Sequence, residues 1–371
     1  LNITKQRKKM KNIIKSVVVL VSSSLISFAA VAGELTVTGS ANASYLINGG
    51  QNSNGKGIGI SNELMFSASG ELDNGYSWKY HTELDMADGG AASNDDTALV
   101  IGLNGMGTVG IYDAEGGLST ETGYGIGALG VGQDYANTMT QIGLGSDVSA
   151  DPHVAYTTEA GLLPFGVQVS AGYAPNTTDG QSNSFKAGGG AQVVDADGNN
   201  ATQYKITAAP IDGLKVGADY YEVGDSITGL GQEKTAGTVY AQYAFGNFKV
   251  GAFDAYRENG VADKAATASA DTATAANGDR YDYEGVGVEF AVNDQLTVSY
   301  AQEKYKRTDK TQTGALATYA KTTVETEADY IQAAYNIGGA TVGIALVDTS
   351  NSDFTANKEE KKTLFTIGME F

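Results

Sequence analysis

The sequence predicts an all-β fold, a transmembrane antiparallel β-barrel of about sixteen strands. Two observations predict it. Apolar and polar residues alternate with period two, the pattern of strands with one apolar and one polar face. The connections between these segments alternate between short and long, which predicts an up-and-down sheet whose two rims differ. Because an open sheet edge finds no hydrogen-bond partner in lipid, the first and last strands are expected to pair.

The first segment, 1–32, has the features of a secretory signal peptide. It carries six basic residues and no acidic ones, and the uncharged stretch 16–33 has an apolar centre before it ends in Ala30-Val31-Ala32. We expect cleavage after Ala32, which leaves a barrel domain at 33–371. Met10 is a possible start, with 1–9 as an extension. A membrane anchor is the alternative, and the stretch is short for one.

Charge and composition exclude several classes of function. Without the signal peptide the chain has 18 basic and 43 acidic residues, a formal net charge of −25, which excludes nucleic acid as a partner and favours cations. With no cysteine there are no disulfides, thiolate nucleophiles or cysteine metal sites, and two histidines leave little for imidazole clusters. We expect no cofactor beyond loosely bound divalent cations at acidic loops.

The alternation is clearest in three places. Tyr76, Trp78, Tyr80, Thr82 and Leu84 share one face of a strand, whereas Ser77, Lys79, His81, Glu83 and Asp85 share the other. The segments around 296–301 and 365–371 alternate in the same way. The predicted strands cover 34–47, 58–72, 76–85, 97–103, 108–113, 153–159, 165–174, 202–209, 214–223, 236–245, 248–256, 281–291, 296–304, 324–336, 340–348 and 361–371.

The rims differ in loop length and in aromatic residues. Seven connections are short turns, and eight are long, as expected for periplasmic turns and outer loops. Aromatic residues flank both rims and predict two interfacial girdles: Phe165, Phe245, Phe248, Phe290 and Phe371 near short turns, and Tyr45, Tyr173, Tyr220, Tyr256 and Tyr281 near long loops. The alternative is a soluble β-sandwich or β-helix, in which so many alternating strands would need a second sheet to cover them.

The longest uniform stretch is 113–152, forty residues with six acidic residues, no Lys or Arg, and nine glycines between Gly116 and Gly145. A run of this length without strand or helix pattern predicts a functional loop, and we interpret it as a loop folded into a pore. Gly125-Ile126-Gly127-Ala128-Leu129-Gly130 matches a dinucleotide fingerprint, but neither a buried parallel strand nor a helix pattern flanks it. Backbone flexibility explains these glycines better.

Taken together, the features above resemble the general diffusion porins of Gram-negative outer membranes. The C-terminal strand Phe365-Thr366-Ile367-Gly368-Met369-Glu370-Phe371 resembles the signal that their barrel assembly machinery reads, and 98–112 resembles the strand, turn and strand before their third loop. The resemblance implies a homotrimer of sixteen-stranded barrels in the outer membrane, in contact with lipid and lipopolysaccharide. It also implies a third loop that folds inward, with acidic residues that face a basic wall.

Transferred to this sequence, the third loop is 113–152. Asp113, Glu115, Glu121 and Asp134 are the candidates for its acidic side, and Asp147 and Asp151 are expected nearer the mouth. The basic wall is predicted to be weak. Its candidates are Lys79, His81, Lys205, Lys215 and Lys249, because Arg257, Arg280 and Arg307 lie in or beside predicted long loops and give no arginine ladder. The constriction should therefore be net negative.

The sequence thus predicts a passive, weakly cation-selective outer-membrane pore for small hydrophilic solutes, and not an enzyme. One alternative is a substrate-selective channel with a saturable site for a cationic nutrient or divalent metal. Asp195-Ala196-Asp197-Gly198 resembles the start of a calcium loop but lacks its later ligands. An outer-membrane hydrolase using His153 is a further alternative, although no Gly-x-Ser-x-Gly elbow is present.

Overall fold

A computed structural model describes residues 35–50, 55–86, 92–114, 117–118, 125–129, 147–175, 177, 200–224, 230–232, 234–258, 261–262, 280–312 and 319–371. The predicted signal peptide lies outside the described residues. Among those residues, no helix has the length and apolar character needed to cross a membrane. The short helices that are described, Val148–Ala150, Pro164–Gly166 and Ser352–Phe354, are 3-10 turns in connections.

The described part of the chain contains eighteen strands. They are β1 (Leu35–Gly50), β2 (Gly55–Glu71), β3 (Ser77–Met86), β4 (Ala92–Gly102), β5 (Thr108–Ala114), β6 (His153–Thr157), β7 (Gln168–Ala174), β8 (Ala201–Ala208), β9 (Leu214–Val223), β10 (Leu230–Gln232), β11 (Thr235–Phe245), β12 (Phe248–Glu258), β13 (Val261–Ala262), β14 (Arg280–Ala291), β15 (Leu296–Gln312), β16 (Tyr319–Asn336), β17 (Ala340–Ser350) and β18 (Glu360–Glu370).

Sixteen of these strands form one closed antiparallel barrel, which confirms the predicted fold class. Strands that follow one another along the chain are neighbours in the wall, and β18 pairs with β1 to close it. The closure extends to the last residue, because Gly39 N donates to Phe371 O at 2.8 Å and Phe371 N donates to Gly39 O at 2.9 Å. No strand of the barrel therefore keeps a free edge.

The short rim follows the predicted turns. At the turn between β8 and β9, Gly213 has φ +84° and packs against the carbonyl oxygen of Ala244 on the neighbouring hairpin. A Cβ at this position would overlap that oxygen, so the turn requires glycine both for its backbone angle and for the close approach.

The long rim differs from the prediction. β15 and β16 continue to Gln312 and back from Tyr319, well beyond the predicted limits at 304 and 324. β10 and β13, which were not predicted, pair with each other outside the barrel. These extensions lack the apolar alternation that marks a lipid-facing strand, so periodicity gave no signal for them. Backbone pairing continues through the extensions of β15 and β16, and the hydroxyl groups of Thr308 and Thr323 add a contact of 3.4 Å between them.

Candidate functional site

The two faces of each strand are distinguished by exposure and register. Tyr204 and Ile206 of β8 are 55% and 47% exposed, and Lys205 lies between them on the opposite face. The same alternation gives an outward row of large apolar residues around the barrel, among them Leu99, Ile111, Val239, Val286, Ile331 and Ile367. The polar faces therefore line the interior, as expected for a barrel with a lipid-facing exterior.

All five predicted basic residues lie on the interior faces of their strands. Lys79 and His81 flank Tyr80, which is 41% exposed on the outward face of β3. Lys205 on β8 is directly opposite Asp219 on β9 in the strand register. Lys215 and Lys249 occupy the interior faces of β9 and β12.

These five residues do not form one basic wall. They are distributed over β3, β8, β9 and β12, and Lys215 and Lys249 contact other side chains of the interior. Lys215 Nζ lies 5.6 Å from the centre of the Tyr240 ring, and Lys249 Nζ is 2.9 Å from Glu289 Oε1. Because Glu289 offsets the charge of Lys249, this part of the interior is less basic than the sequence suggested.

The connection 115–152 between β5 and β6, which we call the crossing loop, is anchored at its root inside the barrel. Leu118 and Val148 are 4% and 0% exposed and pack in one cluster with Tyr221. Val148 N donates to Gln203 Oε1 at 3.1 Å, and Leu118 N donates to His153 Nε2 at 3.4 Å. Both ends of the loop are therefore fixed to the wall beside β5–β9.

The middle of the crossing loop contacts the opposite wall. Three successive backbone N–H groups donate to interior side chains: Gly127 N to Glu289 Oε2 at 3.4 Å, Ala128 N to Ser299 Oγ at 2.8 Å, and Leu129 N to Gln332 Oε1 at 3.1 Å. In the strand order, β15 with Ser299 is eight positions from β5, halfway around the sixteen strands. The described part of the loop thus lies across the barrel from its root.

The three acceptors form a row. Glu289 of β14 is directly opposite Ser299 of β15, and Ser299 is directly opposite Gln332 of β16. We call these residues the acceptor row. Adjacent strands are about 4.8 Å apart and successive residues of an extended chain about 3.8 Å apart, so a chain running across the strands can bond to each in turn.

Two glycines of the wall make room for the loop side chains. A Cβ on Gly287 would lie 2.6 Å from Ile126 Cγ2, and a Cβ on Gly343 would overlap Leu129 Cδ2. Ile126 is only 5% exposed and belongs to the largest buried cluster. The loop is therefore held by apolar contacts in two sockets as well as by the acceptor row.

One side of the interior is filled by aromatic residues. Tyr283, Tyr305 and Tyr330 are at most 2% exposed and pack with Phe354 from the connection between β17 and β18. On β1 and β2, by contrast, the interior residues Asn42, Ser61 and Glu63 are exposed to solvent. The water-accessible strip of the described interior therefore runs along β1 and β2, away from the aromatic cluster.

A carboxylate cluster that sequence reasoning missed lies beside this open strip. Glu63 of β2 is directly opposite Asp85 of β3, and oxygens of Glu63, Glu83 and Asp85 all lie within 4.8 Å of one another. The polar face of β3 already showed Glu83 and Asp85. What placed Glu63 beside them was the register of β2 against β3, which periodicity does not give.

Of the four acidic residues predicted for the pore side of the loop, the structure describes only Asp113. Glu115, Glu121 and Asp134 lie outside the described residues. Asp113 is directly opposite Thr97 and shares its face with Ile111, which is 59% exposed on the exterior. Asp113 therefore faces outward and does not line the interior, contrary to the expectation. Asp113 shares the alternate positions of the strand with the apolar residues Val109 and Ile111, and this pattern in the sequence could have shown its outward orientation.

The arginines also require a correction. Arg257 and Arg307 flank Tyr281 in the register and share its interior face. Arg257 Cζ lies 4.7 Å from the Tyr281 ring centre, and Arg307 Cζ lies 5.1 Å from that of Phe354. Both arginines were expected in or beside long loops, but they lie within β12 and β15, which extend further outward than predicted. Aromatic stacking, however, engages both guanidinium groups.

The terminal segment lies as its pattern predicts. Phe365, Ile367 and Met369 face outward with 43%, 44% and 50% exposure, and Phe371 is 70% exposed. Tyr45 on β1 stacks with Phe365 at 6.4 Å between ring centres. This apolar edge is available to lipid or to another protein.

Solved structures with a similar fold include porins and proteins described as outer-membrane proteins. Salmonella typhi OmpF in complex with daunomycin has a TM-score of 0.61 at 12% identity, over 91% of this chain and 98% of that one. An anion-selective porin from Comamonas acidovorans has a TM-score of 0.61 at 13% identity, over 91% of this chain and 100% of that one. The trimer form of OmpT from Vibrio cholerae has a TM-score of 0.58 at 13% identity, over 92% of this chain and 100% of that one.

No protein-family model and no curated protein sequence matches the chain. The comparisons therefore establish a fold: the chain has the sixteen-stranded barrel of the outer-membrane porins. Since one of these similar structures is an anion-selective porin, the barrel alone does not fix the charge preference of a channel. That property depends on the side chains of the interior.

Proposed function

We propose that the chain forms a water-filled channel in the bacterial outer membrane through which small hydrophilic solutes and ions diffuse passively. The observation that carries this proposal is the crossing loop, attached to the acceptor row opposite its root while the strip along β1 and β2 stays open to water. A loop held in this way narrows a barrel without closing it. Passage needs no chemical step, and we assign the chain no enzymatic activity.

We further propose a weak preference for cations. Glu63, Glu83 and Asp85 face the open strip, whereas Lys249 is paired with Glu289 and the interior arginines are stacked on aromatic rings. Like charges along a narrow passage raise the local concentration of counter-ions. The overall acidity of the mature chain acts in the same direction.

The test is the reversal potential of the purified, folded chain in a planar bilayer under a KCl gradient. We expect the reversal potential of the wild type to have the sign of a potassium-selective channel. In the triple variant Glu63→Gln, Glu83→Gln, Asp85→Asn we expect a smaller reversal potential. Glu284→Gln is the matched control, because Glu284 is exposed on the outward face. An unchanged potential in the triple variant would remove these carboxylates from the ion path. A folded barrel that gives no current would contradict the channel itself.

A substrate-selective channel is the second candidate, and the spacing of the three carboxylates favours it. Oxygen ligands within 4.8 Å of one another suit hard cations such as Ca²⁺ and Mg²⁺. A saturable site would produce current block by micromolar to millimolar divalent cations, and the triple variant would relieve it. Block of equal strength in wild type and triple variant would favour the general pore.

We also propose that the channel is a homotrimer whose subunits meet on the outward face of β4–β6. β5, β6 and β7 have 7, 5 and 7 residues, fewer than the ~9–11 that a strand needs to cross a bilayer. Asp113, the sixth of the seven residues of β5, faces outward directly opposite Thr97, the middle residue of β4. A carboxylate facing hydrocarbon is unfavourable, so a second copy covers this face better than lipid does.

Export by the signal peptide and insertion by the barrel assembly machinery complete the proposal. Phe365, Ile367, Met369 and Phe371 offer an outward apolar edge beside the closing strand pair. Lipid and lipopolysaccharide are the expected neighbours of the remaining outward surface.

A further inference from the structure

We propose that His153 couples the position of the crossing loop to pH, so that the loop root is held only while this imidazole is neutral. The inference rests on the proposed channel, since it concerns the regulation of that same passage. It concerns a side chain that contacts the loop backbone at both ends of the loop. The imidazole is 2% exposed, so bulk water cannot replace the bonds it makes.

The hydrogen bonds of the ring determine its protonation state. His153 Nδ1 lies 2.9 Å from the carbonyl oxygen of Asp151, which can only accept, so Nδ1 carries the proton. Nε2 lies 3.4 Å from the backbone N–H of Leu118, which can only donate, so Nε2 must be the unprotonated nitrogen. Both bonds together require the neutral ring. They also link the segment that leaves β5 to the segment that returns to β6.

Protonation is incompatible with this arrangement. A proton on Nε2 would point at the N–H of Leu118 and turn one hydrogen bond into a repulsive contact between two donors. The charged ring would then lie beside Leu118, which is buried in an apolar cluster with Val148. The ring has little room to turn away, because it stacks on Tyr112 at 5.0 Å between centres and Gly117 packs against both rings. The loop root must therefore move instead.

The charged and titratable groups around the ring favour such a movement. In the part of the chain that the structure describes, these groups are Tyr112 of β5, which stacks on the ring, and Asp147 and Asp151 beside the 3-10 turn before β6. Tyr221 of β9 interacts in turn with both aspartates. Asp147 Oδ1 accepts a hydrogen bond from Ser149 N at 3.1 Å, and its carboxylate attracts positive charge on the His153 ring. Once the root opens, the two carboxylates can pair with the imidazolium and stabilise the released state.

The chain has two histidines, which makes the test specific. Single-channel currents are recorded at about pH 8 and about pH 5, on either side of the ordinary imidazole range. We expect the wild type to spend a smaller fraction of its time in the main conductance level at the lower pH, since imidazole gains a proton as the pH falls. His153→Gln keeps an acceptor for Leu118 but cannot titrate, so its channel should be insensitive over this range. His81→Gln, the control on the interior of β3, should keep the pH response of the wild type.

A second measurement tests the loop root directly and requires no current. Amide hydrogen exchange of the wild-type peptide containing Leu118 is compared at both pH values with a β15 peptide, after correction for chemical exchange rates. We expect protection of the Leu118 amide to fall severalfold at the lower pH while β15 stays protected. Equal protection at both values, or a pH response that persists in His153→Gln, would overturn the inference. Absence of current with intact exchange behaviour would contradict the channel and leave the coupling in place.

Discussion

Removal of acceptors from the acceptor row is the sharpest test of how the crossing loop is held. In Ser299→Ala the N–H of Ala128, now 2.8 Å from Ser299 Oγ, loses its partner inside the barrel. A fully buried donor without a partner costs ~1–3 kcal/mol, which is an upper limit for the part-buried N–H of Ala128. At ~1.4 kcal/mol per tenfold, the ratio of attached to detached loop should fall by up to ~150-fold. Gln332→Leu removes the acceptor of Leu129 N and should act in the same direction.

The assay is the open-channel current at fixed voltage. We expect more frequent transitions between conductance levels in each single variant and still more in the double variant. The strand ladders of β15 and β16 remain intact, so thermal unfolding of the barrel should change little. Thr297→Ala is the matched control, since Thr297 lies two residues before Ser299 on the same interior face.

Current traces of the double variant that match the wild type would refute the reasoning. They would mean either that the loop does not need these bonds or that water replaces them at no cost. Increased transitions in Thr297→Ala would instead attribute the effect to the wall of β15 and not to the loop.

Three other outcomes are expected. Gly343→Ala should loosen the loop, because the new methyl group overlaps Leu129, and adding Leu129→Ala should restore quiet currents; a failure of this rescue would contradict the socket. A spin label at Ile111→Cys should show little oxygen access and broadening from neighbouring subunits, whereas one at Ile206→Cys should show high oxygen access; equal behaviour would place both positions in lipid. Deletion of Phe371, which removes both closing bonds to Gly39, should lower the yield of heat-stable barrel in refolding, and an unchanged yield would leave closure to the other β1–β18 pairs.

Much of the fold could be predicted from the sequence because it depends on local pattern. Alternation with period two identified the lipid-crossing part of each barrel strand, and turn residues located the short rim. The same alternation correctly placed Lys79, His81, Lys205, Lys215 and Lys249 on interior faces. For Asp113, the alternation shared with Ile111 indicates an outward face, whereas its position next to the long loop favours the pore, and the two signals conflict.

The outward ends of the strands are a different case. Arg257 and Arg307 were assigned to loop regions because their surroundings lack apolar alternation, yet backbone pairing continues through them. Outside the membrane no lipid selects for an apolar face, so sequence periodicity weakens while the hydrogen-bond ladder persists.

By itself the sequence determined the class of this protein: a closed all-β barrel with a polar interior, unequal rims and a long glycine-rich loop after β5. Only the tertiary structure decided which groups meet. The approach of Glu63 to Asp85 depends on a strand register, and the bonds from Gly127, Ala128 and Leu129 to the acceptor row join residues more than 150 positions apart. A residue's face is a local property of its strand, whereas contact across a barrel depends on closure of the whole wall.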